Sequence, residues 1–265
     1  MKQYKLCILM MIAVCSSVDV ASAQASTESL LNQLRASPLD LAVVGQLERS
    51  RDERALPALQ QAFDDHAAKK ERQYLAISLI RLGDKDEKYF AFLAGYARIA
   101  IESNAPPVLA SDEKGNAIRG VINPDFEIWA EKLGMPVKEA AAVQMYTYPE
   151  DVMLLGKAMD ARAVPLFTKG LQSQNDVIVL KAAEALALLN DVPAVSLIIR
   201  QSRQRGRGVG SLLASTLASY TNPDALREID QTLVDPEFRR RYQEDRAAIL
   251  RDKTNQSDSV KPKER

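Results

Sequence analysis

Cysteine is almost absent from this chain of 265 residues: Cys7 and Cys15 are the only two, both near the start. Histidine and tryptophan occur once each, as His66 and Trp129. A zinc site of the common cysteine and histidine kind cannot be assembled from one histidine. Ser-His-Asp and Cys-His catalysis would have to run through His66. Aromatic residues make up 6% and there are 11 glycines, while alanine and leucine dominate, so packed helices are favoured over sheets and glycine-rich catalytic loops. Charge of one sign is missing too. The 35 basic and 35 acidic residues cancel, which removes any general attraction to nucleic acid or anionic lipid. No apolar run reaches the roughly 20 residues that a membrane helix needs.

The first 23 residues have the pattern of a secretory leader. Lys2 and Lys5 precede the apolar run Leu6 to Val14, and Ala21-Ser22-Ala23 forms an A-x-A cleavage site before Gln24. The rival reading is a lipid anchor at Cys15, where "IAVC" carries Val14 in place of the usual small residue. The expected destination is the periplasm or the exterior. Both cysteines leave with the leader, so the mature chain would stand without disulfides and rely on core burial. Removing Lys2, Lys5 and Asp19 leaves one more acid than base.

What the sequence does contain is a repeat. "DERALPALQQAF" begins at Asp52 and "DARAVPLFTKGL" at Asp160. "AVPLF" at Ala163 returns as "AVSLI" at Ala194 and "ALREI" at Ala225, a step of 31 residues each time. The partner segments keep step: Ala183, Leu186 and Ala187 correspond to Ala214, Leu217 and Ala218, and further back to Ala76, Leu79 and Ile80. Each unit therefore reads as helix A followed by helix B. Leu75, Leu79 and Leu82 fall at i, i+4, i+7, as do Val179, Ala183 and Leu186, which gives each B helix one apolar stripe. A single hairpin cannot bury that stripe, whereas the next hairpin stacked on it can. Gly83-Asp84, Asn190-Asp191 and Asn222-Pro223 mark the joins, and Pro57 and Pro165 suit the first turns of their helices.

On "DERALPAL", "DARAVPLF", "LGD" and "LLND" the chain resembles the HEAT-repeat family, in its short bacterial form related to the phycobilin-lyase type. The resemblance covers roughly residues 50 to 102 and 160 to 235. It departs from the family in its short period and in a middle third where the period breaks. It implies an all-α, HEAT-like solenoid of stacked antiparallel helix pairs with a central irregular insertion. In such solenoids the B helices line the concave surface. The outward positions then become Tyr74, Ile77 and Arg81 in one unit, Lys181, Glu184 and Leu188 in the next clear one, and Leu212, Ser215 and Ser219 after it. This mixed stripe suits a protein or peptide contact.

The expected organisation is a leader over 1–23, an N-terminal helical cap and repeats over 24–102, and an insertion over 103–159. Repeats and a charged capping helix from Asp235-Pro236 occupy 160–252, and a disordered tail 253–265. Two helices are expected before residue 50, the first capped by Ser26 or Thr27 and the second opened by Ser37-Pro38. In the insertion, Asp112 to Asn116 reads as the turn of a small hairpin or loop, and Asn123-Pro124 and Met135-Pro136 as helix starts. Phe126, Trp129 and Leu133 share one helical face, which would plug the joint between the two halves of the stack. Alternatively, Trp129 with Tyr146 and Tyr148 would form an aromatic ligand surface.

Reactive chemistry is sparse. His66 falls at the turn between helices A and B and reads as a solvated loop residue. Asp84, Asp86 and Glu87 lack the central glycine of an EF-hand loop and read as an inter-helix turn. Acidic pairs such as Asp64-Asp65 and Glu150-Asp151 arise readily by chance in so charged a chain. "RQRGRGVG" from Arg203 to Gly210 follows a helix, not a strand, which excludes a phosphate-cradling loop. Together with Arg200 its arginines read as a solvated, cation-rich turn. The expectation is an exported, monomeric scaffold or adaptor that binds another protein, with no catalysis, no metal, no cofactor and no nucleic-acid partner. The alternative, which rests on the resemblance to bilin lyases, is an accessory protein that handles the cofactor or substrate of a partner enzyme.

Overall fold

The computed structural model describes residues 27–34, 39–103, 105–113 and 117–259. The leader with Cys7 and Cys15, the Ser26 cap, Ser37-Pro38 and residues 260–265 lie outside them. The fold is all-α, with one two-stranded ribbon among the described residues. The helices are α1 (Thr27–Leu34), α2 (Leu41–Ser50), α3 (Ala55–Asp65), α4 (Lys69–Arg81) and α5 (Glu87–Glu102). The ribbon follows as β1 (Leu109–Ser111) and β2 (Ala117–Ile122), then α6 (Pro124–Lys132) and α7 (Val137–Ala142). A π-helical segment, Val143–Thr147, leads into α8 (Tyr148–Lys157). The remainder is α9 (Val164–Gly170), α10 (Asp176–Leu188), α11 (Val192–Gln204), α12 (Arg207–Leu217), α13 (Pro223–Thr232) and α14 (Pro236–Ser259). No helix among the described residues is long and apolar enough to cross a membrane.

Local chemistry sets the helix starts. Asp40, Asp86, Asn123, Asn175, Asp191 and Asn222 each accept a backbone N–H from the first turn of the helix they open. Asp235 does the same for Glu237 and Phe238. The second helix thus begins at Leu41, three residues beyond the Pro38 start suggested by the sequence. At the other end α14 continues to Ser259, so residues 253–259 extend a helix where a disordered tail was expected. Nothing breaks the helix there, the first proline being Pro262.

The ends of four helices reveal the organisation. Arg51, Gly83, Met159 and Asn190 all take positive φ, and each is followed by aspartate. A left-handed residue closes the helix, and the aspartate turns the chain into the next one. At Asp52 and Asp160 this turn is identical in kind. Each carboxylate accepts the backbone N–H of the arginine two residues on (3.0 and 2.9 Å). Each also receives that arginine's guanidinium, through Arg54 and Arg162. Those guanidinium bonds hold both carboxyls well below the usual aspartate range. The sequence copy that begins at Asp52 and Asp160 is therefore a copied junction.

These junctions divide the chain into pairs: α1 with α2, α3 with α4, α5 with α8, α9 with α10, and α11 with α12, followed by α13 and α14. Second helices pack in unbroken series, α2 on α4, α4 on α8, α8 on α10, α10 on α12 and α12 on α14. Among first helices α1 meets α3, α5 meets α9 and α11 meets α13. One apolar core runs from Leu30 to Tyr242 through all of them. Helix α10 sits deepest, with Ala182, Ala183, Ala185 and Ala187 all buried, which explains why it is apolar on nearly every side.

Helix α8 was expected within the insertion but is the partner of α5. Only residues 103–147 interrupt the pair. They carry a separate small core of Phe126, Ala130 and Ala140, with Val108, Ile122, Trp129 and Met135 packed around it. The ribbon is antiparallel, Leu109 opposite Ile122, and the Asp112–Asn116 turn is described only in part. Trp129 belongs to this small core, 5.4 Å from Phe126, and plugs no joint in the main one. Leu133 ends α6 and is exposed.

Met159, like Arg51, is poorly suited to the left-handed conformation, because its Cβ crowds the following carbonyl at a cost of about 1 kcal/mol or more. Its side chain is 47% exposed and contributes little burial. Met159→Gly is expected to raise the thermal midpoint by about 2 °C, the strain relief exceeding glycine's added freedom in the unfolded chain. Unfolding followed by circular dichroism checks this; an unchanged or lower midpoint contradicts it.

Candidate functional site

Aligning the helices on their left-handed ends extends the outward stripe. Tyr74, Ile77 and Arg81 on α4 correspond to Glu150, Met153 and Lys157 on α8, and these to Lys181, Glu184 and Leu188 on α10. Leu212, Ser215 and Ser219 on α12 continue the row. The sequence stripe omitted α8 altogether, although α8 lies between α4 and α10 and separates Tyr74 and Arg81 from Lys181. The signal that could have found it was Met159-Asp160 in the place of Gly83-Asp84.

The expected residues are not equally available. Ile77 is buried at 4% exposure, which removes it from the contact surface. Helices α2, α3, α5 and α8 all pack on α4 and widen its buried face beyond the usual stripe. Tyr74 is half-buried against the core. Arg81 donates to Glu48 of α2 at 2.7 Å, and Ser78 donates to the same carboxylate at 2.9 Å. Ser215 donates to Asp245 of α14. Lys181 and Glu184 pair with each other at 2.8 Å. Leu188 and Lys157 are exposed and Met153 half-exposed. The row is thus a mixed surface in which Arg81 and Ser215 also tie successive second helices together.

At the end of α4, Ile80, Arg81, Ala158, Met159, Asp160 and Ala161 line a shallow cleft of about 370 Å³. A second cleft, of about 280 Å³, involves the arginine-rich stretch, with Ser202, Arg203, Arg205, Arg207, Asp235, Glu237 and Phe238. This stretch was expected to be a solvated turn, and Arg200, Arg203 and Arg207 are exposed as expected, whereas Arg205 is not. Arg205 is largely buried and reaches Asp176, the Ser173 carbonyl (2.6 Å) and Gln201 (3.1 Å). Arg203 donates to the Thr232 carbonyl at 2.7 Å, and Arg207 pairs with Glu237. Three guanidinium forks, each able to span several acceptors, are used to join α11 and α12 to the neighbouring pairs. Gly210 is required by contact: a Cβ there would lie 2.3 Å from the Ser202 carbonyl oxygen and 2.7 Å from Phe238.

The aromatic trio is divided. Trp129 lies in the small core, Tyr148 packs on the main one, and Tyr146 is 69% exposed. His66 closes α3 with its Nδ1 2.9 Å from the Glu71 carboxylate. Asp84 holds the Asp86 N–H (2.9 Å) and the Gln60 amide (2.8 Å), while Asp86 caps α5. Both are used in an inter-helix turn. No family model matches the chain, and no curated protein matches it.

Proposed function

We propose that the chain is an exported α-solenoid of HEAT-like helix pairs that binds another protein along the outward row of its second helices. It acts as a scaffold or adaptor in the periplasm or outside the cell, without catalysis of its own. The observation that carries this reading is the alignment of Tyr74, Glu150, Met153, Lys157, Lys181, Glu184 and Leu188 on three helices packed side by side. Apolar and charged groups alternate along it, as on surfaces that recognise a folded or extended chain. Recognition would come from shape and surface matching, with Met153 and Leu188 as apolar anchors and Lys157 and Glu184 setting register.

Photo-crosslinking residues placed at Met153 and Leu188, with controls at Ser196 and Asp224 on first helices, test the assignment in the native host. Row positions are expected to give one discrete adduct that controls do not. Met153→Ala with Leu188→Ala is expected to weaken capture of that partner about tenfold, at about 1.4 kcal/mol of binding free energy. The thermal midpoint should stay unchanged. Equal labelling from the controls, or undiminished capture by the double variant, excludes this face.

A further inference from the structure

Most cations at the start of α4 and α5 are paired. Lys69 meets Asp151, Lys70 meets Glu150, Lys88 meets Asp64, and His66 meets Glu71. Arg72 has no hydrogen-bonding or carboxylate partner among the described residues, and its Nε is buried without an acceptor. Its guanidinium carbon lies 4.4 Å from the centre of the Phe63 ring and 4.6 Å from that of Phe92. The two rings meet edge to face at 5.3 Å, and Tyr89 fixes Phe63 from another side at 4.9 Å.

Aromatic faces attract a cation but offer nothing to its N–H donors. The rings therefore hold the guanidinium in place and leave its buried Nε without an acceptor. A buried donor without an acceptor is unfavourable, and in native proteins it commonly signals a missing ion, water or ligand. The strongest complement to a planar fork of N–H groups is an oxyanion bound through two parallel bonds. Lys69 over Tyr96 (4.2 Å) and Lys88 over Tyr89 (5.0 Å) add further cations to the same aromatic cluster, each already matched by a carboxylate. Among the described residues of this cluster, Arg72 is thus the cation without a carboxylate partner, in a frame that is fixed before anything binds.

We propose that Arg72, held by Phe63 and Phe92, anchors a binding site for an oxyanion, a carboxylate or phosphate group, at the junction of α3, α4 and α5. The site is separate from the outward row, and it stands or falls apart from the protein-binding reading.

Titration of ¹⁵N-labelled protein with inorganic phosphate, and separately with acetate, tests it at constant ionic strength. The Arg72 Nε–Hε cross-peak, assigned by its loss in Arg72→Lys, is expected to shift and saturate, with a midpoint on the order of 1 mM for a single bidentate contact. Saturation by phosphate alone assigns a phosphate group, by acetate alone a carboxylate, and by both either one; each supports the site. Arg72→Lys keeps the charge and loses the fork, and should weaken the backbone shifts of neighbouring residues at least about tenfold. A response linear in anion concentration, or equal with chloride, overturns the proposal. Should the variant not fold, the wild-type titration still decides.

Discussion

Replacing Gly156 by valine is expected to remove about 3 kcal/mol of stability, the upper end of overpacking costs in a close-packed core. Gly156 is where α8 crosses α10. A Cβ there would lie 2.7 Å from the Ala185 Cβ and 3.2 Å from its Cα. Ala185 is a backbone-anchored neighbour and cannot swing aside, so the helices must separate. Gly170 on α9 approaches Ala182 of the same helix in the same way, at 2.9 Å. Small residues on both sides let α8 and α9 converge on α10. Gly95→Ala is the control: it lies in α5 with nothing within 4 Å, and should gain up to about 1 kcal/mol from helix propensity. In urea the valine variant should lose about 1 M in midpoint. An unchanged midpoint would mean that α8 does not pack on α10 and belongs with the insertion after all.

The second large effect is expected at Asp151. This carboxylate is 4% exposed and sits on α8, facing α4. Both of its oxygens receive donors from α4: Lys69 Nζ at 2.8 Å and Gln73 Nε2 at 2.8 Å. Asp151→Ala leaves the buried Gln73 amide without its acceptor. It also leaves an ammonium without its counter-ion. Breaking a fully buried pair costs about 3–5 kcal/mol. Lys69 is 35% exposed and can turn to water, so the expected loss is smaller, about 2 kcal/mol. Asp151→Asn, which can still accept from Gln73, should lose about half of that. Chemical denaturation of both variants checks the order. A loss below about 0.5 kcal/mol for alanine would show that apolar packing alone joins α4 to α8.

The parts of this fold that depend on a few adjacent residues were legible in the sequence. Asn123-Pro124, Asn222-Pro223 and Asp235-Pro236 opened helices where expected, because a cap and a proline act within one turn. The pairing of α5 with α8 was not legible, since the residues between them break the period and the pairing rests on contacts between distant segments. Ile77 was misplaced for a related reason. Its exposure is decided by four surrounding helices, none visible in the periodicity of α4. Of the arginines of "RQRGRGVG", Arg203 and Arg207 are exposed as in a solvated turn, while Arg205 departs from that expectation because its acceptors, Ser173 and Asp176, lie a full unit away. Of the outward row, the α4, α10 and α12 members followed from the repeat. The α8 members needed the recognition that Met159 stands where glycine or asparagine stands elsewhere.

The way residues 103–147 enter and leave has a mechanical consequence. Both ends of the insertion join the two helices of one pair, which adhere along their length. Tension applied to the chain ends would pass across the contacts of α4 and α5 with α8 and α9 and bypass the ribbon and α6 and α7. Rupture of those contacts and of the small core around Phe126 would then release about 150 Å of slack, at about 3.4 Å for each extended residue. The insertion acts as a stored length within the stack, paid out only when its host pair parts.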